Sequence, residues 1–276
     1  MNTGDKTLAQ ITRELLASFN RYPRKKLGQH FLVDPKVLER IIAAAELSPD
    51  DLVIEIGSGL GVVTAEIAKK AGQVIAVEID KELSKISQQV LTPYKNINFI
   101  PEDILIIDLD NLTEGKNYKI IGNLPYYITA PIIENILVAK NKPEIAVLMV
   151  QKEVAERIVA VPGSKKYGSF SIFVQFYAEA ALHSFVSKSS FQPWPKVSSA
   201  IIVLKPYKTS KYEVKDEKLF FDIVHAAFQQ RRKKLRNSLA ELLSDKAAGI
   251  DLNRRPESLA IDEFAALANF CYNSSS

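Results

Sequence analysis

Asn123-Leu124-Pro125-Tyr126 is the richest cluster of chemically usable groups in this 276-residue chain. It offers an amide oxygen, a main-chain carbonyl followed by a proline with no N–H, and a ring wide enough to stack on a base. An exocyclic amine on an aromatic base is a poor nucleophile, because its lone pair is delocalised into the ring. Two acceptors aimed at its hydrogens would draw that nitrogen toward tetrahedral geometry. The Asn123 side-chain oxygen and the Leu124 carbonyl suit those roles, while Pro125 fixes the local turn. Stacking on Tyr126, worth roughly 1–3 kcal/mol per base, offsets much of the cost of pulling a nucleotide out of its stack. The tetrapeptide therefore suits methylation of a base amine. Phe191, on a loop stiffened by Pro193 and Pro195, is expected to form a second aromatic wall opposite Tyr126. The competing explanation is an ordinary Asn-Pro loop, with Tyr126 and Phe191 as buried aromatics.

A second cluster is Glu55-Ile56-Gly57-Ser58-Gly59-Leu60-Gly61, with glycines at alternate positions. Without a Cβ, Gly57 and Gly59 can adopt positive φ and turn main-chain N–H groups toward a ligand. Their spacing departs from the G-x-G-x-x-G fingerprint of dinucleotide sites. Glu78 stands 21 residues beyond Gly57, where an acid that binds ribose hydroxyls is expected. Asp103 holds the corresponding place after the next strand and could accept from an adenine amino group. The altered glycine spacing argues against a pyrophosphate on the helix N-terminus and for a nucleoside carrying an uncharged or cationic chain. S-adenosylmethionine fits that description.

These groups need strand ends to hold them, and the apolar periodicity supplies strands. Leu52–Ile56, Val74–Ile79, Ile97–Ile100, Lys119–Gly122 and Ile145–Val150 read as strands. Helical spacing appears between them, as in Val62–Lys70, Leu83–Leu91 and Ile132–Val138. Such alternation predicts an α/β fold with a parallel sheet wound on both faces. A helix follows Gln151, and the aromatic-rich Phe170–Phe176 reads as another. Leu182–Val186 and Ala200–Leu204 bring the strands to seven and should form an antiparallel pair at the sheet edge. Past Pro206 only helical spacing remains, through Leu219, Ile223, Phe228, Leu235, Leu239, Leu242, Leu243, Phe264, Leu267 and Phe270. The expected organisation is a ligand-binding α/β domain over 1–205 and a small all-helical domain over 206–276.

Composition narrows the remaining possibilities. Hydrophobic residues make up 47% and charged residues 25% of the chain. With no run of eighteen apolar residues, neither a disordered chain nor a helical membrane protein is expected. The single cysteine, Cys271, excludes an intrachain disulfide and a zinc site built from several thiolates. No metal site is expected. Residues 1–20 lack the apolar core of a secretory signal, so the expected location is cytoplasmic. The net charge of +4 is unevenly placed: residues 1–31 hold six basic groups against two acidic, and residues 205–276 hold 13 against 10. The densest runs contain Arg24, Lys25 and Lys26, and Arg231, Arg232, Lys233, Lys234 and Arg236. Either run alone is more often a solvated face, but together with a base-binding site they point to phosphate contacts.

In order along the chain, Gln29-His30-Phe31-Leu32, the glycine turn, Glu78, Asp103, Asn123 to Tyr126 and Phe191-Gln192-Pro193-Trp194-Pro195-Lys196-Val197 resemble the ribosomal RNA adenine dimethyltransferases. The resemblance spans about residues 24–240 and is strongest to the bacterial small-subunit branch. It implies a class I methyltransferase fold, a Rossmann-like sheet with a small helical domain after it, and S-adenosylmethionine as cofactor. By matched position, Gln29, His30 and Leu32 would close over the cofactor, and Gly57, Gly59, Glu78, Asp103 and Asn123 would contact it. The implied chemistry is N6,N6-dimethylation of two adjacent adenosines near the 3′ end of small-subunit RNA in a pre-ribosomal particle; the sequence leaves the oligomeric state open, and a monomer is the expectation. Leu60, where relatives often have proline, and Thr129-Ala130, in place of the commoner Ser-Thr, depart from the pattern without touching a proposed acceptor. A related enzyme of large-subunit RNA and a noncatalytic assembly factor of the same fold are the rival readings.

Overall fold

The central strands of the sheet are almost continuously apolar rather than alternating, the pattern of strands covered on both faces. All five residues of Leu52–Ile56 are buried, as are six of seven in Ile145–Gln151. In the computed structural model, which describes residues 6–230, 233–240 and 249–275, the chain divides into two units: Met1–Ala155 with Ala181–Pro206, and Glu156–Ala180 with Tyr207–Ser276.

The first unit begins with α1 (Leu8–Ser18), β1 (Phe31–Leu32) and α2 (Pro35–Ala44). An alternating series follows: β2 (Leu52–Ile56), α3 (Val62–Ala68), β3 (Gln73–Val77), α4 (Lys81–Val90), β4 (Ile97–Ile100), α5 (Leu109–Thr113), β5 (Tyr118–Asn123), α6 (Thr129–Val138) and β6 (Ile145–Gln151). The chain then runs through α7 (Lys152–Ile158) and α8 (Ser169–Tyr177) to β7 (Ala178–Val186), β8 (Phe191–Gln192) and β9 (Ser199–Pro206).

The seven-stranded sheet has the order β4-β3-β2-β5-β6-β9-β7. Strands β4 to β6 are mutually parallel. Strand β9 runs antiparallel to β6, with Met149 opposite Ile201. The two C-terminal strands are neighbours at the sheet edge, with β9 on the inner side. The order reverses between β2 and β5, which is where α/β sheets open a crevice for ligands. Register sets the site: Ile56 lies opposite both Val77 and Gly122, and Val77 opposite Ile100. Residues just beyond these ends, Gly57, Glu78, Asp103 and Asn123, therefore share one edge of the sheet.

Helices α1, α2 and α5 and strands β1 and β8 had no counterpart in the periodicity. Helix α1 opens with a capping box, in which Thr7 accepts from the Gln10 N–H and Gln10 accepts from the Thr7 N–H. Its Leu16 packs with Phe31, Leu60, Leu83 and Ile86 beside the glycine turn. Strands β1 and β8 form a separate two-stranded ladder, pairing Phe31 with Gln192 and Leu32 with Phe191. Sequence periodicity cannot register strands of two residues.

The second unit carries α7 beyond Ala155, α8, α9 (Glu217–Gln229), α10 (Leu235–Ser238) and α11 (Ile261–Ser275). Its core joins Tyr167, Ile172 and Phe176 to Phe220, Ile223, Leu235, Leu259, Phe264 and Leu267. Phe176 stacks on Phe220 with ring centroids 4.7 Å apart. The segment 156–180, which the sequence reading left with the sheet, thus packs with the helices: the aromatic face of α8 finds its partners on α9. Leu242 and Leu243 lie outside the described residues.

Candidate active site

Gly57, Gly59 and Gly61 have φ of +78°, +55° and +83°. The Gly57 N–H bonds to the Val77 carbonyl at 2.9 Å. A Cβ on Gly57 would sit 3.3 Å from the Asn123 carbonyl, so this glycine lets the ends of β2 and β5 close on each other. The Gly59 N–H donates to Glu78 Oε2 at 2.9 Å, and the Asp80 N–H donates to Oε1 at the same distance. Glu78 is thereby clamped between the glycine turn and the first turn of α4. Its burial raises its pKa, the two N–H bonds oppose that, and the Asp80 charge adds to it.

Glu55 is an acid that sequence reasoning passed over. It is the one charged residue in β2 and is 2% exposed. Burial pushes its pKa up to about 8; Thr64, whose hydroxyl falls short of a well-formed hydrogen bond, opposes the shift, and Glu78 reinforces it. Its Oε2 and the Ser58 hydroxyl have no hydrogen-bond partner among the described residues. An acid interrupting an apolar strand was the available signal.

At the end of β5, Asn123 Nδ2 donates to the His30 carbonyl at 3.0 Å. His30 Nδ1 lies 2.7 Å from the Pro193 carbonyl, which can only accept, so Nδ1 carries a proton. The His30 ring stacks on Tyr126 with centroids 6.0 Å apart and planes 27° apart. The Tyr126 hydroxyl is 2.5 Å from Ser199 Oγ on β9, and burial raises its pKa. The Leu124 N–H bonds to the Met149 carbonyl at 3.0 Å, and the Pro125 carbonyl accepts from Ile128 N–H and from the Thr129 hydroxyl. Every residue of the tetrapeptide or its immediate flank is tied to β6, α6, β9 or His30.

The segment before β1 folds over this edge. Gln29 accepts from the Arg24 N–H at 2.7 Å and donates to Asp80 Oδ2 at 3.0 Å. Arg21 and Arg24 reach the same carboxylate at 3.6 and 3.4 Å. Asp80 is 3% exposed and also caps α4 by accepting from the Glu82 and Leu83 N–H groups. Sequence reasoning missed Asp80; an aspartate directly before a helical run is a cap signal that does not reveal long-range partners. Arg24, expected on RNA phosphate, is half engaged in this ion pair.

Gln29, His30, Leu32, Gly57, Gly59, Glu78, Asp103 and Asn123 to Tyr126 all line one cleft. Asp103 caps the turn that follows it, accepting from the Leu105 N–H at 3.0 Å. Phe191 does not line the cleft. It is 1% exposed and packs in the main core with Leu32 and Val37, so the expected second aromatic wall is a core residue that anchors β8 against β1. The ring that does lie against Tyr126 is His30. Of the basic residues, Lys25 and Lys26 are exposed on a single 3₁₀ turn before Gly28. Lys233, Lys234 and Arg236 are exposed in the helical unit, with Arg236 bonded to Asn253. Arg231 and Arg232 lie outside the described residues.

The chemistry of the cleft tests what it can hold. Glu78, Glu102 and Asp103 line it together with Glu55, whose raised pKa keeps it protonated near neutral pH, and no lysine or arginine is among the described residues there. A pyrophosphate would meet uncompensated carboxylates there, whereas a cationic nucleoside meets favourable charge. Ser58 and Glu55 supply unpartnered polar atoms, the glycine turn supplies close backbone, and Ile79 and Ile104 supply apolar surface for a base. S-adenosylmethionine fits this donor set.

A mostly parallel seven-stranded sheet with one antiparallel strand inserted near its edge, carrying a glycine turn and acids on successive strand ends, is a class I methyltransferase. The Ribosomal RNA adenine dimethylase family profile matches residues 20–272, and the chain belongs to that family. It is 46% identical over 261 residues to Ribosomal RNA small subunit methyltransferase A of Caldanaerobacter subterraneus subsp. tengcongensis, covering 90% of this chain and 97% of the relative. Against the protein of that name from Clostridium botulinum strain Langeland, it is 43% identical over 271 residues, covering 95% and 98%. Among solved structures, a dimethyladenosine transferase from Plasmodium falciparum has a similar fold, with a TM-score of 0.77 at 24% identity over 89% of this chain and 98% of that one. The 23S rRNA methyltransferase ErmE gives 0.70 at 27% identity over 86% and 97%. The protein is an S-adenosylmethionine-dependent RNA adenine methyltransferase.

Proposed function

We propose that the protein dimethylates the N6 amines of two adjacent adenosines near the 3′ end of 16S ribosomal RNA. The observation that carries this reading is the Asn123–Tyr126 slot beside a cleft lined by acids, with no lysine or arginine among the described residues that line it. The near full-length similarity to small-subunit methyltransferases supports the choice of RNA. The fold shared with ErmE makes large-subunit RNA the alternative to be tested.

When bound, S-adenosylmethionine supplies an electrophilic methyl group on its sulfonium. Gly57, Gly59, Glu78, Asp103, Gln29, His30 and Leu32 hold it. Glu78 takes the ribose hydroxyls through the lone pairs its two N–H bonds leave free, and Asp103 takes the adenine amine. The Asn123 oxygen and the Leu124 carbonyl accept the two hydrogens of the substrate amine and draw it out of conjugation. Tyr126, tethered by Ser199, stacks on the extruded base, and Pro125 holds the turn. Positioning provides most of the acceleration. Attack makes the amine strongly acidic, so water can accept its proton, and no dedicated base is required.

Lys25, Lys26, Lys233, Lys234 and Arg236, together with Arg231, Arg232 and part of Arg24, contact phosphates. The helical unit is an RNA-binding domain. The protein works as a cytoplasmic monomer on a pre-ribosomal small-subunit particle. Labelled S-adenosylmethionine incubated with the protein and unmethylated small subunits, followed by mapping, tests this. Label should fall on two adjacent adenosines near the 3′ end, and label confined to large-subunit RNA would overturn the reading.

A further inference from the structure

Trp194 is the only tryptophan in the chain and is 72% exposed. A single exposed apolar side chain needs no explanation by itself. Its placement does. Gln192 and Phe191 on one side are laddered to β1, with Phe191 buried. Pro195 on the other side is buried, and the Lys188 ammonium donates to the Lys196 carbonyl. Pro193 and Pro195 remove φ freedom on both flanks. The indole is therefore mounted on a fixed loop rather than a mobile one.

That loop and the first residue of β9, into which it runs, grip the base slot at two points. The Pro193 carbonyl holds His30 Nδ1 at 2.7 Å, and Ser199 holds the Tyr126 hydroxyl at 2.5 Å. Consecutive Cα atoms are about 3.8 Å apart, so the Trp194 backbone is one such step from the residue that fixes the ring lying on Tyr126. Lys188 and Lys196, both exposed, flank it. An aromatic set among cations beside a base-binding cleft is the arrangement that binds single-stranded nucleic acid, because every base offers a π-face.

We propose that Trp194 is a stacking platform for the nucleotide adjacent to the one held in the slot. The inference rests on the proposed substrate. When one of two neighbouring adenosines is extruded, the other loses its stacking partner, and an exposed indole beside the slot restores it. The same surface would then receive each adenosine in turn while its neighbour is methylated.

The lone tryptophan makes the test direct, since all indole emission comes from Trp194. The full-length protein is titrated with a single-stranded RNA containing two adjacent adenosines, and with the same RNA abasic beside the target. The first should quench the emission as it binds, and the second should bind with little quenching. Affinity for unmethylated small subunits is measured alongside: Trp194→Ala should weaken it about tenfold, and Trp194→Phe, which keeps a ring, by much less. Equal quenching by both RNAs, or wild-type affinity in Trp194→Ala, would overturn the platform. If wild-type protein labels small-subunit RNA while Trp194→Ala binds it just as tightly, the platform falls and the proposed substrate stands. If wild-type protein labels only large-subunit RNA, the substrate reading falls, and the dependence of quenching on the neighbouring base still decides the platform.

Discussion

Asn123 gives one side-chain N–H to the main-chain carbonyl of His30, 3.0 Å away, which leaves its amide oxygen to serve as the acceptor. A carbonyl cannot donate, so this contact fixes which way the amide faces. The histidine that rests on Tyr126 also aims the acceptor.

Replacing Asn123 with alanine should lower kcat by roughly 10²–10³, the scale seen when one preorganised polar group is removed from a reacting centre. RNA affinity should change far less, because the contact acts on the amine rather than on the phosphates. Asn123→Asp should fail similarly, since an ionised carboxylate repels the His30 carbonyl. Single-turnover methyl transfer and filter binding check both, and unchanged turnover would contradict the assigned role.

Glu55 gives folding stability a pH dependence of definite sign. Its pKa is about 8 in the folded chain, against 4.5 for an ordinary glutamate. Between those values the native state holds a proton that the unfolded chain has released. Stability is therefore greatest below the lower value and falls as pH rises toward the upper one, by at most about 1.4 kcal/mol per pH unit for one proton. Glu78 shifts in the same direction. Glu55→Gln stays neutral and should lose much of that slope, which urea unfolding of both proteins across this pH range will measure.

Asp80→Ala should free the segment before β1. The change removes a helix cap worth about 1 kcal/mol and leaves Arg21, Arg24 and Gln29 without their shared partner. Trypsin should cut faster at Arg21, Arg24, Lys25 or Lys26, and cofactor affinity should fall because Gln29 and His30 line the cleft. Digestion at the wild-type rate would show that the segment is held by β1 alone.

Binding to small subunits should weaken steeply with salt. Each cation that neutralises a phosphate on single-stranded RNA contributes about −0.7 to the slope of log affinity against log salt. Lys25→Ala, Lys26→Ala, Lys233→Ala and Lys234→Ala should each flatten the slope by about that amount. Arg24→Ala should do less to the slope than to cofactor affinity, since its guanidinium already faces Asp80.

The sheet was legible because parallel strands buried on both faces leave unbroken apolar runs, and a register of that kind aligns their ends. Gly57, Glu78, Asp103 and Asn123 could thus be assigned to one edge from spacing alone. The partners of Asp80 were not legible, since they lie 51 to 59 positions earlier in the chain, and Glu55 was marked only by being an acid in an apolar strand, a signal that does not say what it faces. Phe191 was misplaced for a related reason. Prolines show that a loop is stiff, but whether its aromatic faces the cleft or the core depends on the β1–β8 ladder, whose strands are too short to carry a period.

The aromatic segment around Phe176 leaves the first unit after Ala155, and the chain returns to it at Ala181, long before it passes Pro206. Severing the polypeptide at the obvious linker would strip away Phe220 and Phe264 but leave Tyr167, Ile172 and Phe176 behind, a greasy stump bared to solvent. Such a fragment should come out insoluble however sound its catalytic half is, so attempts to shrink this enzyme must excise residues 156–180 as well or keep the whole.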